Sequence, residues 1–214
     1  MYAFIVVAIL NIALALTYCI LLIKNDKAHR YIMPIPAALL AWQTLNYSWY
    51  RWTRQQICVF TALVFFFIGD ILSLWPIFKE ITYALSYIFI ALSIPIKLPD
   101  RILSAMCFLV LSVSCSISVM VINAILGESQ DKLIQVFMGF YLITIACATS
   151  AAMYRYYIEE QGKLLWAGVI LVFFSDIARL SNIYSDVGLN VSNICFYWIG
   201  ITFISWQIVL DAGL

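Results

Sequence analysis

Apolar stretches long enough to cross a bilayer, which takes about 20 helical residues, follow one another along almost the whole chain. Of the 214 residues, 65% are hydrophobic and 11% are charged, and the mean hydropathy is +1.00. Soluble domains are about 45–50% apolar and about 25% charged. The sequence therefore predicts an integral, multi-pass membrane protein, which would lie in the inner membrane if the cell is bacterial.

Eight apolar stretches predict an all-α, polytopic fold with about eight transmembrane helices in one domain, residues 1–214. The predicted spans are 2–23, 31–47, 56–75, 81–97, 102–126, 133–154, 164–182 and 192–211. The polar connectors between them are too short for a soluble domain. No basic residue precedes the first stretch, so we expect it to remain as a helix rather than be removed as a signal peptide.

Charge and cysteine usage exclude several classes of partner. The net charge is +1 and the basic residues are scattered, which does not favour a nucleic-acid partner. The six cysteines form no C-x-x-C motif, and His29 is the single histidine, placed among charged residues. We therefore expect no disulfide, no metal site and no cofactor.

Two matching apolar decamers each carry an aspartate. They are FFFIGDILSL, residues 65–74, and LVFFSDIARL, residues 171–180. Asp70 follows Gly69, and Asp176 follows Ser175 at the equivalent position. An ionisable residue inside a membrane segment is a functional candidate by default, because burying its charge is costly. Asp70 and Asp176 are therefore the candidate catalytic residues.

The decamers lie in the third and seventh predicted spans, which run in the same direction. Both aspartates are near the end of their span, so we expect them to share one pocket near one membrane face. The match also raises the possibility of two parallel four-helix repeats, residues 1–100 and 101–214.

Arg179 lies three residues after Asp176 and can pair with it on one helix face. One interpretation is that this pair makes the helix end tolerable in lipid. The alternative is that Arg179 keeps Asp176 ionised while Asp70, with no cation near it in sequence, stays protonated. On that hypothesis Asp70 donates a proton and Asp176 stabilises positive charge, as in an acid/base couple.

Other polar and aromatic residues inside the spans are more ambiguous. Tyr141 and Asn123 each need a partner there, so each is either an interhelical hydrogen bond or part of a pocket wall. Tyr197 and Trp198, like most tyrosines and tryptophans of the chain, are predicted to anchor the membrane interface.

The sequence FFIGDILSLWP at residues 66–76, together with FFSDI at residues 173–177, resembles the TMEM86/YhhN family of lysoplasmalogenases. The resemblance implies eight spans, a lysophospholipid substrate among the membrane lipids, and hydrolysis of a vinyl ether to a fatty aldehyde without a cofactor. It places Asp70 and Asp176 at the catalytic centre. The candidate substrate-binding residues are Gly69, Ser175, Arg179, Tyr141 and Asn123.

Two departures from the family pattern keep other functions open. Members of the family often have a lysine just before the proline of the second span, and this chain has Met33 or Ile35 there. They often have a histidine within the fourth span, where this chain has Leu92 or a neighbouring residue. A non-catalytic, lipid-binding relative is one alternative. A proton- or cation-coupled transporter is the other, because paired intramembrane carboxylates also serve ion coupling.

Overall fold

The described part of the chain is helical throughout and contains no strand. The structure is a computed structural model and describes residues 2–24, 28–48, 52–94, 132–157, 160–182 and 190–211, with residues 101, 103, 105, 106, 109, 112, 113 and 116 between them. The helices are α1 Tyr2–Ile23, α2 His29–Ile32, α3 Ile35–Ser48, α4 Arg54–Ile71, α5 Pro76–Ser93, α6 Lys132–Tyr157, α7 Lys163–Asn182 and α8 Asn190–Asp211, with a 3₁₀ turn at Leu72–Leu74. The predicted all-α class is confirmed for these residues.

The seven long helices fall on seven of the eight predicted spans, and most of the fifth, 102–126, lies outside the described residues. Among the described residues, two segments, Arg54–Ile71 and Asn193–Asp211, are long and apolar enough to cross a membrane. Length and composition alone are weak support for membrane association, since a buried core helix passes the same test. The eight-span architecture stays a prediction.

Local sequence signals explain where α4 and α5 begin and end. Thr53 caps α4, its hydroxyl accepting from the Gln56 N–H while the Gln56 side chain accepts from the Thr53 N–H. The predicted span 56–75 does not continue as one helix, because Pro76 disfavours helical backbone at the residue before it. Trp75 is extended, and Pro76 takes the first position of α5, where its missing N–H costs nothing.

Small residues bring α7 and α8 close together. A Cβ added to Gly168 would lie 2.6 Å from the carbonyl oxygen of Gly200, and one added to Gly200 would lie 2.7 Å from that of Gly168. Glycine is thus required on both helices for their backbones to approach this closely, as is common where helices pack in membranes.

A polar network joins α6, α7 and α8 at one end of the bundle. Arg155 Nη2 lies 2.6 Å from Asp211 Oδ2. Gln207 Nε2 donates to Asp211 Oδ1 at 2.8 Å, and Gln207 Oε1 accepts from the Leu164 N–H at 3.1 Å. Because Arg155 is buried, its charge is tolerable only with such a partner. The network therefore fixes the relative positions of these three helix ends.

We predict that Gly168→Ala lowers the free energy of unfolding by about 1–3 kcal/mol, the usual cost of overpacking. Gly139→Ala is the matched control, because a Cβ there meets nothing within 4 Å. Alanine is the better helix former, so the control should be neutral or stabilising by up to about 1 kcal/mol. Thermal unfolding of the purified variants measures both, and equal midpoints would contradict the close approach of α7 and α8.

Candidate functional site

Asp70 is enclosed by tyrosines from two other helices. It lies one residue before the end of α4, and its side chain is 1% exposed. The Tyr83 hydroxyl of α5 donates to Asp70 Oδ1, and the Tyr197 hydroxyl of α8 donates to Asp70 Oδ2 at 3.0 Å. Two phenolic donors therefore replace the water that this carboxyl loses on burial.

Gly69 allows α5 to come close enough for this contact. A Cβ at Gly69 would lie 2.5 Å from Tyr83 Cδ1 and 2.7 Å from Thr82 Oγ1. The sequence-based hypothesis gave Gly69 a role in substrate binding, and the structure places it under the Tyr83 ring. Its local role is to seat Tyr83 beside Asp70.

Asp176 has a similar environment on α7. It is 3% exposed, and the Tyr87 hydroxyl of α5 donates to its Oδ2 at 2.5 Å. Tyr83 and Tyr87 are four residues apart, so one face of α5 serves both aspartates.

A cluster of aromatic rings contains the tyrosines that donate to both aspartates. Phe66 contacts Tyr83, Tyr87 and Tyr197, with ring centroids 5.6, 5.6 and 5.8 Å away. Tyr197, which is bonded to Asp70, also interacts electrostatically with Asp176. Asp70 of α4 and Asp176 of α7 therefore both border one aromatic cluster, and their sharing of one functional site stays a prediction.

Tyr141 is fully buried in α6 and lies against this cluster. Its ring centroid lies 6.3 Å from that of Tyr83 and 5.8 Å from that of Tyr87. Tyr87 also interacts electrostatically with Tyr141. Tyr141 therefore joins α6 to α5 at this cluster, and both interpretations that the sequence gives to it, interhelical hydrogen bond and pocket wall, stay predictions.

Ser175 contacts the helix that follows it. Its hydroxyl donates to Asn193 Oδ1 at 2.5 Å, which joins α7 to the start of α8. The candidate Asn123 lies outside the described residues, as does the side chain of Arg179, so neither is placed relative to the aspartates.

The sequence-based assignment of Tyr197 and Trp198 to the membrane interface is wrong. Both side chains are buried in the core of the bundle. The composition of a membrane protein favours the interface for aromatic residues, but a tyrosine beside a buried carboxylate satisfies two polar groups at once. The sequence did contain one signal for tyrosines that donate to the aspartates, which is the four-residue spacing of Tyr83 and Tyr87 on α5.

A cation lies over the ring of one of the tyrosines that donate to Asp70. Lys79 Nζ lies 5.4 Å from the centroid of the Tyr83 ring, whose hydroxyl is bonded to Asp70. Hydrogen-bond donors and a nearby positive charge both stabilise a carboxylate over the neutral acid. The sequence-based hypothesis that burial keeps Asp70 protonated stays a prediction.

No group of three or more histidine, cysteine or carboxylate side chains that could hold a metal ion occurs among the described residues. The described polar side chains of the site include two carboxyls and the phenols around them. Such a set can hold, donate and accept protons in a region shielded from water.

We predict that Tyr197→Phe lowers the free energy of unfolding by about 1–3 kcal/mol, because Asp70 then loses a donor in a dry site. Tyr31→Phe is the control, since Tyr31 is 81% exposed, and its change should stay within about 0.5 kcal/mol. Thermal or denaturant unfolding measures both. Equal stabilities of the two variants would contradict the assigned hydrogen bond.

Comparisons of the chain with family models, with curated proteins and with solved structures found no match.

Proposed function

We propose that the chain is a membrane-embedded hydrolase of the vinyl ether bond of lysoplasmalogens, with Asp70 and Asp176 as its catalytic pair. One observation carries the proposal: two carboxyls from matching motifs, more than 100 residues apart in sequence, are both buried in a single tyrosine-lined cluster. The motif resemblance described above supplies the substrate class.

Exposed apolar surface supports the membrane setting of the proposal. On α1, the side chains of Ile5, Ile9, Ile12, Leu16 and Ile20 are each at least half exposed. Contiguous apolar surface of this kind is unusual on soluble monomers and suits contact with lipid. With the seven described long helices and the predicted span 102–126, the proposed protein crosses the membrane eight times.

The reaction requires an acid and a stabilising anion. A proton is transferred to the vinyl carbon that is not bound to oxygen, which leaves an oxocarbenium ion. Water adds to that ion and loses a proton to a carboxylate, and the resulting hemiacetal breaks down to a fatty aldehyde and the glycerophospho-head-group. An anion beside the oxocarbenium ion lowers the barrier most where water is excluded.

The two acids are proposed to share a single proton. Two ionised carboxylates in one dry cluster would repel each other, so the second ionisation is opposed. Tyr197 is hydrogen-bonded to Asp70 and interacts electrostatically with Asp176, so its hydroxyl is proposed to carry the proton between the two acids. In this proposal the proton donor is the pair together with Tyr197, rather than Asp70 alone as the sequence-based hypothesis had it.

Three of the candidate substrate-binding residues, Gly69, Ser175 and Tyr141, are proposed to support this pair. Gly69 seats Tyr83, Ser175 joins α7 to α8, and Tyr141 closes the aromatic wall. The proposed substrate is a single-chain lysophospholipid that reaches the site from the bilayer. No cofactor is needed by this scheme.

The test is aldehyde release from lysoplasmenyl-ethanolamine and lysoplasmenyl-choline by the purified protein in detergent. We expect Asp70→Asn and Asp176→Asn each to lose at least about 100-fold in rate, the lower range for an acid/base group. Glu160→Gln, which removes a carboxylate at an exposed position, should keep the rate of the unmodified protein.

The control reaction is a lysoplasmalogenase of known activity in the same assay. If it turns over while this chain does not, the proposed hydrolysis is wrong. Proton or cation uptake by sealed vesicles, sensitive to the same aspartate variants, would then indicate a transporter. Lipid binding that tolerates both variants would indicate a non-catalytic relative.

A further inference from the structure

A second candidate site lies between α1 and α8, and Trp198, the residue after Tyr197, is one of the side chains that line it. A cavity of about 280 Å³ opens there, lined mostly by aliphatic and aromatic side chains such as Ile12, Leu16, Ile199 and Phe203. Along α8 it extends from Cys195 to Trp206, about 16 Å at 1.5 Å per residue. The described side chains that line it carry no charge.

Asn11 is the polar side chain that α1 contributes to this cavity, and it is 5% exposed. Its Nδ2 donates to Thr202 Oγ1 at 3.5 Å, while the Thr202 hydroxyl donates to the Trp198 carbonyl at 2.7 Å. Because the hydroxyl proton of Thr202 is already used, Thr202 accepts from Asn11, and this fixes the orientation of the amide. Asn11 Oδ1 is left buried without a donor in the described part of the chain.

Trp198 lines the same cavity and is 2% exposed. Its indole Nε1 is likewise buried, with no acceptor among the described residues. A buried polar atom without a partner destabilises the fold. The cavity is therefore bordered by one residue with an unused acceptor and one with an unused donor.

We propose that this cavity binds an uncharged single-chain lipid that carries a hydroxyl, such as a long-chain alcohol. The hydrocarbon chain fills the apolar groove, and the hydroxyl donates to Asn11 Oδ1. The hydroxyl oxygen of the ligand can also accept a hydrogen bond from Trp198 Nε1, because a hydroxyl is both donor and acceptor.

Depth in the membrane is the reason for an uncharged ligand. Asn11 is near the middle of α1, nine residues after its start and twelve before its end, so it lies about 13–18 Å from either end. A phosphate or ammonium group is costly at that depth. A free hydroxyl with an amide partner is not.

The test is equilibrium binding of labelled 1-hexadecanol to the purified full-length chain in detergent, with hexadecyl methyl ether as the matched ligand that cannot donate. We expect the alcohol to bind at least tenfold more tightly than the ether. Asn11→Leu should abolish that preference, and Ala15→Phe, which fills the groove, should weaken both ligands. Thr17→Val is the control, because Thr17 is exposed on α1 and bonded to its own helix; it should change neither affinity.

Stability separates binding from a purely structural role of Asn11. If Asn11 serves the ligand, Asn11→Leu without lipid should keep or raise the unfolding temperature, since a buried oxygen without a donor is removed. A lowered unfolding temperature together with unchanged alcohol binding would overturn the proposal. So would equal affinity for alcohol and ether in the unmodified protein, which is the result expected if water alone occupies the position beside Asn11.

Discussion

Hydrogen bonds from tyrosine hydroxyls to two buried carboxyls are the interactions on which the arrangement of helices depends. An isolated carboxylate cannot be removed from water without donors or a charge partner. Here the donors come from α5 and α8, while the carboxyls belong to α4 and α7. Satisfying Asp70 and Asp176 therefore requires four helices to be in register, and the aromatic cluster around Phe66 fills the space between them.

Glycine and proline make that register possible. Pro76 ends the helical segment that begins with α4 and is the first residue of α5. The chain changes direction there, and Tyr83 of α5 contacts Asp70 of α4. Gly69 removes the Cβ that would strike the Tyr83 ring. At the other end of the bundle, Arg155 and Asp211 fix α6 against α8 by an ion pair. An ion pair thus stabilises one end of the bundle, and hydrogen bonds from tyrosine hydroxyls to Asp70 and Asp176 stabilise the other.

The sequence predicted the helices and the two aspartates, but not their surroundings. Apolar length located seven described helices because long runs of this kind have few alternatives to helix, and the decamer match located Asp70 and Asp176. Tyr83, Tyr87 and Tyr197 were missed because the preference of aromatic residues for the interface is an average, whereas Tyr197 is positioned by tertiary contacts with Asp70 and Phe66.

The identity of the groups around the carboxyls favours proton chemistry over cation binding. A hard cation such as Ca²⁺ takes six or more oxygen ligands, each of which must present a lone pair to it. At this site the phenols donate to three of the four carboxyl oxygens of Asp70 and Asp176, and a bound cation would have to compete with these hydrogen bonds. A proton, by contrast, can be held between a carboxyl and a phenol with no further ligand. The same hydrogen bonds that make the buried acids tolerable thus make them suited to donating and accepting protons, which is the property that hydrolysis of a vinyl ether requires.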